Sequence, residues 1–269
     1  MPSYVVTGAS RGIGLEFVRQ LSDDRSNEVF ALVRNLKSIT HLEPLSARKN
    51  VHILEADSTS SVQLYKAAEE VSKITGGSLD VLIANAGGNI GSGRSLADPD
   101  MPPEEVAAEL RENYEQNVVA AVFTNNAFLP LLRKGQQKKI IDISSAMGLG
   151  GFSLKTGFAY IPAYSMAKAA LNLAVTKYAV ELAKENFIVI GLSPGLVDTS
   201  KTKAVPPSEE QRKVLAGFID QWRPSNPDWD GKPLTVEDSV QKQLKVIKSL
   251  KPYHSGYMLS QNGDTNQWF

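Results

Sequence analysis

Tyr164 stands four residues ahead of Lys168, and a tyrosine so placed can move a proton. A free phenol titrates at about 10, too high for easy exchange at neutral pH. An adjacent cation favours tyrosinate and brings the hydroxyl into range. Residues four apart share one face of a helix, so a helix here puts ammonium beside phenol. The pair then serves as general acid in one direction and general base in the other. The same spacing is common on ordinary helix surfaces, and its weight depends on what surrounds it.

A second chemical signal opens the chain. The segment Thr7-Gly8-Ala9-Ser10-Arg11-Gly12-Ile13-Gly14 follows an apolar run and enters an amphipathic one. A backbone turning from strand to helix beside a pyrophosphate leaves no room for Cβ atoms, and the first N–H groups of the helix attract anions. The glycine spacing is G-x-x-x-G-x-G, and its place between strand and helix gives it force. By contrast, His41, His52 and His254 are scattered without ligand spacing, and no metal site is expected. Cysteine is absent, which removes disulfides, thiolate nucleophiles and thiolate metal ligands and is compatible with a reducing compartment.

These groups need a scaffold. Apolar runs rich in branched residues recur at 4–7, 28–33, 51–56, 81–86, 139–145, 188–193 and 256–260. Several are continuous rather than alternating, as strands buried on both faces are. Amphipathic stretches at 13–21, 61–74, 104–132, 163–185 and 236–250 read as helices, with Thr59 or Ser60 as a cap for the second. The alternation predicts an α/β fold, a single doubly wound parallel sheet of about seven strands with helices on both faces. One domain spans 1–269. The stretch 199–233 carries Pro206, Pro207, Pro224, Pro227 and Pro233 and reads as a mobile lid with a helix near 209–221. Basic and acidic side chains balance at 29 each, so no bulk field favours nucleic acid or an anionic membrane. No basic leader and no apolar run of about 20 residues is present, so a soluble cytoplasmic protein is expected.

Taken in order, the motifs resemble those of the short-chain dehydrogenase/reductase family. Its loop is T-G-x-x-x-G-x-G, followed here by Asn85-Ala86-Gly87, Asn117, Ile143-Ser144-Ser145, Tyr164-Ser165-Met166-Ala167-Lys168 and Ser193-Pro194-Gly195-Leu196-Val197-Asp198-Thr199. The resemblance covers nearly the whole chain and implies a Rossmann fold. It assigns Asn117, Ser145, Tyr164 and Lys168 to catalysis. Ser145 would hold a carbonyl oxygen, Lys168 the nicotinamide ribose with Tyr164 beside it, and Asn117 would kink its helix and anchor a water. The stretch from Ser145 to Tyr164 is longer than usual in the family, which leaves Ser144 open beside Ser145, the second of the pair. The intervening segment 147–158 is expected to be a loop bordering the pocket. The tail from Gly256 to Trp268 resembles the sniffer-type and C-factor-like carbonyl reductases and the fungal ketoreductases, whose likeness implies bulky apolar ketones or aldehydes.

The resemblance further implies that Gly8, Ser10, Arg11, Gly12, Ile13 and Gly14 cradle the dinucleotide. Asp57 and Ser58 would meet adenine, Asn85, Ala86 and Gly87 the adenosine ribose, and Pro194, Gly195, Val197 and Thr199 the carboxamide. After the second strand the chain reads Arg34-Asn35 where an NAD site presents an acid. With Arg11, Arg34 offers guanidinium forks for a 2′-phosphate, which favours NADP(H). A silent dinucleotide sensor on the same fold is the alternative to an NADPH-dependent carbonyl reductase or alcohol dehydrogenase. Homodimers or homotetramers are implied by analogy. Asp142, a charge within a core strand, is expected to pair locally, and Trp222, Trp229 and Trp268 to pack.

Overall fold

Branched side chains suit a pleated surface covered on both faces, and each of the seven apolar runs forms a strand. The computed structural model describes residues 1–91, 94–203, 205 and 207–269; Pro206 of the proline-rich stretch lies outside the described residues. The strands are β1 (Ser3–Thr7), β2 (Glu28–Val33), β3 (Val51–Glu55), β4 (Val81–Ala84), β5 (Lys139–Ile143) and β6 (Ile188–Leu192), then the short β7 (Val197–Asp198), β8 (Leu234–Thr235) and β9 (Met258–Leu259). Seven of them form one parallel sheet in the order β3-β2-β1-β4-β5-β6-β9, while β7 and β8 pair apart.

The helices are α1 (Gly12–Asp23), α2 (Ser61–Thr75), α3 (Pro103–Tyr114), α4 (Ala120–Leu132), α5 (Gly150–Thr156), α6 (Pro162–Glu181), α7 (Glu209–Trp222) and α8 (Val236–Ser249). Alternate strand residues feed two cores. Val6, Val29, Ile83, Ile141 and Ile190 meet α1 and α8, whereas Val5, Phe30, Leu82, Ile140 and Val189 meet α2, α4 and α6. Side chains with period two on a doubly covered sheet require this division. Ser60 caps α2 by accepting from the Gln63 amide, and Thr235 caps α8 in the same way from Asp238.

Two elements differ from the sequence reading. The stretch 104–132 is not one regular helix: a π turn at Glu115–Val119 separates α3 from α4. The segment 147–158 is not simply a loop, since it contains α5. The strands at 81 and 139 also end earlier than their apolar runs, past which the Asn85 amide donates to Thr7 Oγ1 and the Ser144 amide to the Leu192 carbonyl. β1 and β4 are neighbours although their crossovers run in opposite directions. The crevice beyond their C-terminal ends is therefore the topological switch point where open α/β sheets bind ligands.

Candidate active site

The glycine loop fills that crevice. Thr7 Oγ1 accepts from the amides of Asn85 and Ala86, both at 3.0 Å, and Asn85 Nδ2 donates back to the Thr7 carbonyl at 2.9 Å. The loop is thus stitched to the end of β4. Gly14 has no substitute, because a Cβ there would stand 2.4 Å from the Gly8 carbonyl oxygen. Gly12 has φ +57, a value that side chains disfavour. No side chain of Arg11 caps α1, and its first turn carries no acid, which leaves the positive end of the helix facing the loop. This cradle fits a dinucleotide pyrophosphate. The Thr202 hydroxyl accepts from the Gly12 amide at 2.9 Å, a contact across 190 residues that no motif signals.

At the other end of the crevice, Arg34 and Asn35 are exposed past β2. Asn35 accepts from the Lys37 amide. Arg11 is exposed as well, and neither arginine enters an ion pair among the described residues. Asp57 caps its own turn through Thr59 and Ser58 is buried beside it. Arg11 and Arg34 thus stand as exposed cations at this end, and the nearby Glu55 carboxylate accepts from the Leu36 amide at 3.2 Å.

Asn117 lies in the π turn and is buried. Its Oδ1 accepts from the Gly88 amide at 3.0 Å, and its Nδ2 donates to the carbonyls of Gly88 and Asn113, both at 2.9 Å. One turn earlier, Asn113 clamps Ile90 in the same manner, accepting at 3.2 Å and donating at 2.7 Å. Two asparagines therefore fix the loop after β4. The π turn supplies the kink expected at Asn117. Asn113 was missed, although its place one turn before Asn117 was visible. A Cβ built on Gly87 would lie 2.8 Å from Asn117 Oδ1 and 3.6 Å from Lys168 Nζ, so the loop, Asn117 and Lys168 meet.

Ser145 follows the end of β5 and Tyr164 stands in the first turn of α6, with the Ser145 hydroxyl near enough to act on the phenol. Ser144 instead donates to Asn172 at 2.6 Å and is buried, so of the two serines it is Ser145 that meets Tyr164. Lys168 lies one turn below, with Nζ 5.6 Å from the Tyr164 ring centre. Its Nζ donates to the Ile143 carbonyl at 2.8 Å. Burial pushes the Tyr164 hydroxyl up to about 12, with the Ser145 bond pulling the other way. The sequence expectation of a lowered tyrosine is not met in this state, because burial outweighs the influence of Ser145. Burial pulls Lys168 down to about 8, and the charge of Asp142 opposes that shift. Asp142 itself is held by Asn125 on α4.

Pro194 and Gly195 turn after β6, with the Ser239 hydroxyl on the Pro194 carbonyl at 2.7 Å. Val197 and Thr199 follow, Val197 in the β7–β8 pair. Past Thr199 the chain forms α7, begun by a capping box of Ser208 and Gln211. Trp222 at its end is 1 % exposed and contacts Phe152, Phe158, Phe218 and Phe269, with ring centres 5.1 to 6.0 Å away. Trp268 is buried in the same cluster and Trp229 stacks on Phe269. α7 and α5 are thereby joined by aromatic packing.

The chain matches the model of the short chain dehydrogenase family over residues 3–210. It is 41 % identical to the short-chain dehydrogenase/reductase atnB of Arthrinium sp. over 271 residues, 99 % of each chain. Among solved structures it is similar to an NADPH-bound carbonyl reductase from chicken fatty liver, with 28 % identity and a TM-score of 0.77 over 100 % of this chain and 99 % of that one. It is likewise similar to the carbonyl reductase Sniffer of D. melanogaster, with 26 % identity and a TM-score of 0.78 over 100 % of both.

Proposed function

Since the chain belongs to the short-chain dehydrogenase/reductase family of oxidoreductases, we propose that it is an NADPH-dependent carbonyl reductase, running in reverse as an alcohol dehydrogenase, on bulky apolar ketones or aldehydes. The observation that carries this reading is the convergence of Ser145, Tyr164 and Lys168 beside the glycine cradle. Bound NADPH would supply the hydride. Gly8, Ser10, Gly12, Ile13 and Gly14 would hold its pyrophosphate, and Arg11 and Arg34 would take the 2′-phosphate. Asp57 and Ser58 border adenine, Asn85 to Gly87 the ribose, and Pro194, Gly195, Val197 and Thr199 the carboxamide.

Tyr164 gives its proton to the oxygen of the substrate as negative charge develops there. Ser145 donates to the same oxygen and steadies it. Lys168 holds the nicotinamide ribose and supplies positive charge below the phenol. Asn117 keeps the Gly88 backbone in place beside Lys168. The segment 199–233 serves as the cover of the substrate side.

The test follows oxidation of NADPH and of NADH against a panel of ketones, quinones and aldehydes. Turnover is expected with NADPH, and Tyr164→Phe should abolish it while NADPH binding by fluorescence stays close to that of the wild type. A Tyr164→Phe enzyme with the wild-type rate would refute the acid–base assignment, and a preference for NADH would refute the arginine argument.

A further inference from the structure

Lys168 is a buried cation, 4 % exposed, whose Nζ donates to the Ile143 carbonyl. A neutral carbonyl does not compensate a charge removed from water. No ion pair joins Lys168 to an acid among the described residues. A carboxylate is nevertheless buried close by. Asp142 is 0 % exposed and directly precedes Ile143 in β5. Its neighbours across the sheet are Ala84 in β4 and Gly191 in β6, two of the smallest residues, which leave it room. By strand alternation it points to the face that carries α4 and α6. Asn125 Nδ2 reaches both of its oxygens, at 3.3 and 3.2 Å, while Asn125 Oδ1 has no partner. A neutral side chain of that size would sit here at less cost, so the charge calls for a reason.

We propose that Asp142 is a positioning residue that acts through Lys168, its carboxylate being the counter-charge that keeps the buried ammonium protonated beneath Tyr164. The inference rests on the roles given above to Tyr164 and Lys168. Burial pushes Asp142 up to about 7 and Lys168 down to about 8, and each charge partly restores the other. The groups facing Asp142 leave no competing titration. Asn125 from α4 is neutral, Ala84 and Gly191 carry no charge, and Tyr178 from α6 is held up to about 12, by burial first and the Asp142 charge next. Loss of the carboxylate therefore lets Lys168 release its proton at lower pH.

The kinetic test compares kcat/KM against pH for the wild type and Asp142→Asn, with the best carbonyl of the panel. The alkaline limb should move toward acid by about one pH unit, and NADPH affinity should begin to fall with pH correspondingly earlier. A uniform loss at every pH, or an unmoved limb, would mean that Asp142 is merely structural and would overturn the inference. A second measurement does not depend on that variant folding. The ¹³C carboxyl resonance of Asp142 is titrated in the wild type and in Lys168→Gln, where its midpoint should rise by a matching amount, since coupling is reciprocal. An unchanged midpoint also overturns the inference. Tyr164→Phe separates the two levels: inactivity there with an unmoved Asp142→Asn profile removes only the role of Asp142, whereas wild-type turnover removes the reading on which it rests.

Discussion

Arg11 and Arg34 are long flexible cations exposed at one end of the crevice and not committed to any ion pair among the described residues. A surface arginine with no role can be removed at almost no cost. One that grips a phosphate contributes about 1.5–3 kcal/mol through charge-assisted bonds. Arg11→Ala and Arg34→Ala should each weaken NADPH binding about tenfold or more while leaving NADH within about twofold, as read by nucleotide fluorescence. Equal losses for both cofactors would remove the phosphate role. Gly14→Ala makes a complementary test, because its Cβ meets backbone rather than a flexible side chain. It should destabilise the fold by about 1–3 kcal/mol and abolish binding of both nucleotides. At this scale the sequence was informative about residue types and much less so about their ionisation. The Tyr164–Lys168 spacing was readable, but the hydroxyl of Tyr164 is governed by burial, which depends on chain segments distant in sequence. The proximity of Asp142 to Lys168 is hidden for the same reason, since one is on β5 and the other on α6.

Elements were legible where a single period ran through them. The apolar run 28–33 forms a strand at Glu28–Val33, and the amphipathic segment 236–250 corresponds closely to α8 (Val236–Ser249). The π turn was not, because one extra residue per turn leaves apolar and polar positions looking helical on both sides of it. Its purpose lies in Asn113 and Asn117, whose amides close on Gly88 and Ile90. Asn113→Leu strips two bonds from the Ile90 backbone and should cost about 1–3 kcal/mol per unsatisfied buried group. Chemical denaturation measures that loss. α5 was hidden by Gly148, Gly150, Gly151 and Gly157, which read as a loop. It is held against α7 by Trp222 rather than by its own propensity. Trp222→Ala should then cost about 3–5 kcal/mol and raise KM for the carbonyl, with the NADPH dissociation constant nearly unchanged. If stability fell and both constants stayed fixed, the stretch 199–233 would have no part in covering the substrate.

At the scale of the whole molecule, the parallel sheet was foreseeable because continuous apolar runs separated by helix-length crossovers admit few topologies. Surfaces that await a partner are harder to read in advance, since an apolar residue on a helix belongs to a core until the fold says otherwise. Met166, Leu173 and Val180 are 51, 60 and 73 % exposed, and recur every second turn along one side of α6. Beside them Tyr114 is 50 % exposed, and a groove of about 740 Å³ runs between α3 and α6, floored by Ala163, Ala167 and Ala170. Exposed apolar side chains set in a row, here with Lys177 between Leu173 and Val180, mark an association face, and a two-fold axis across α6 would let the same row cover its own copy. We propose that the chain forms such a dimer. Light scattering coupled to size exclusion should give twice the mass of the 29.2 kDa chain. Leu173→Glu combined with Val180→Glu should return the monomer mass, because like charges would face each other in a desolvated contact. These positions lie on the side of α6 away from the Ile143 carbonyl that holds Lys168, so NADPH binding should survive in the monomer. A wild-type monomer at micromolar concentration, or a double variant whose mass does not fall, would leave the stripe without that role.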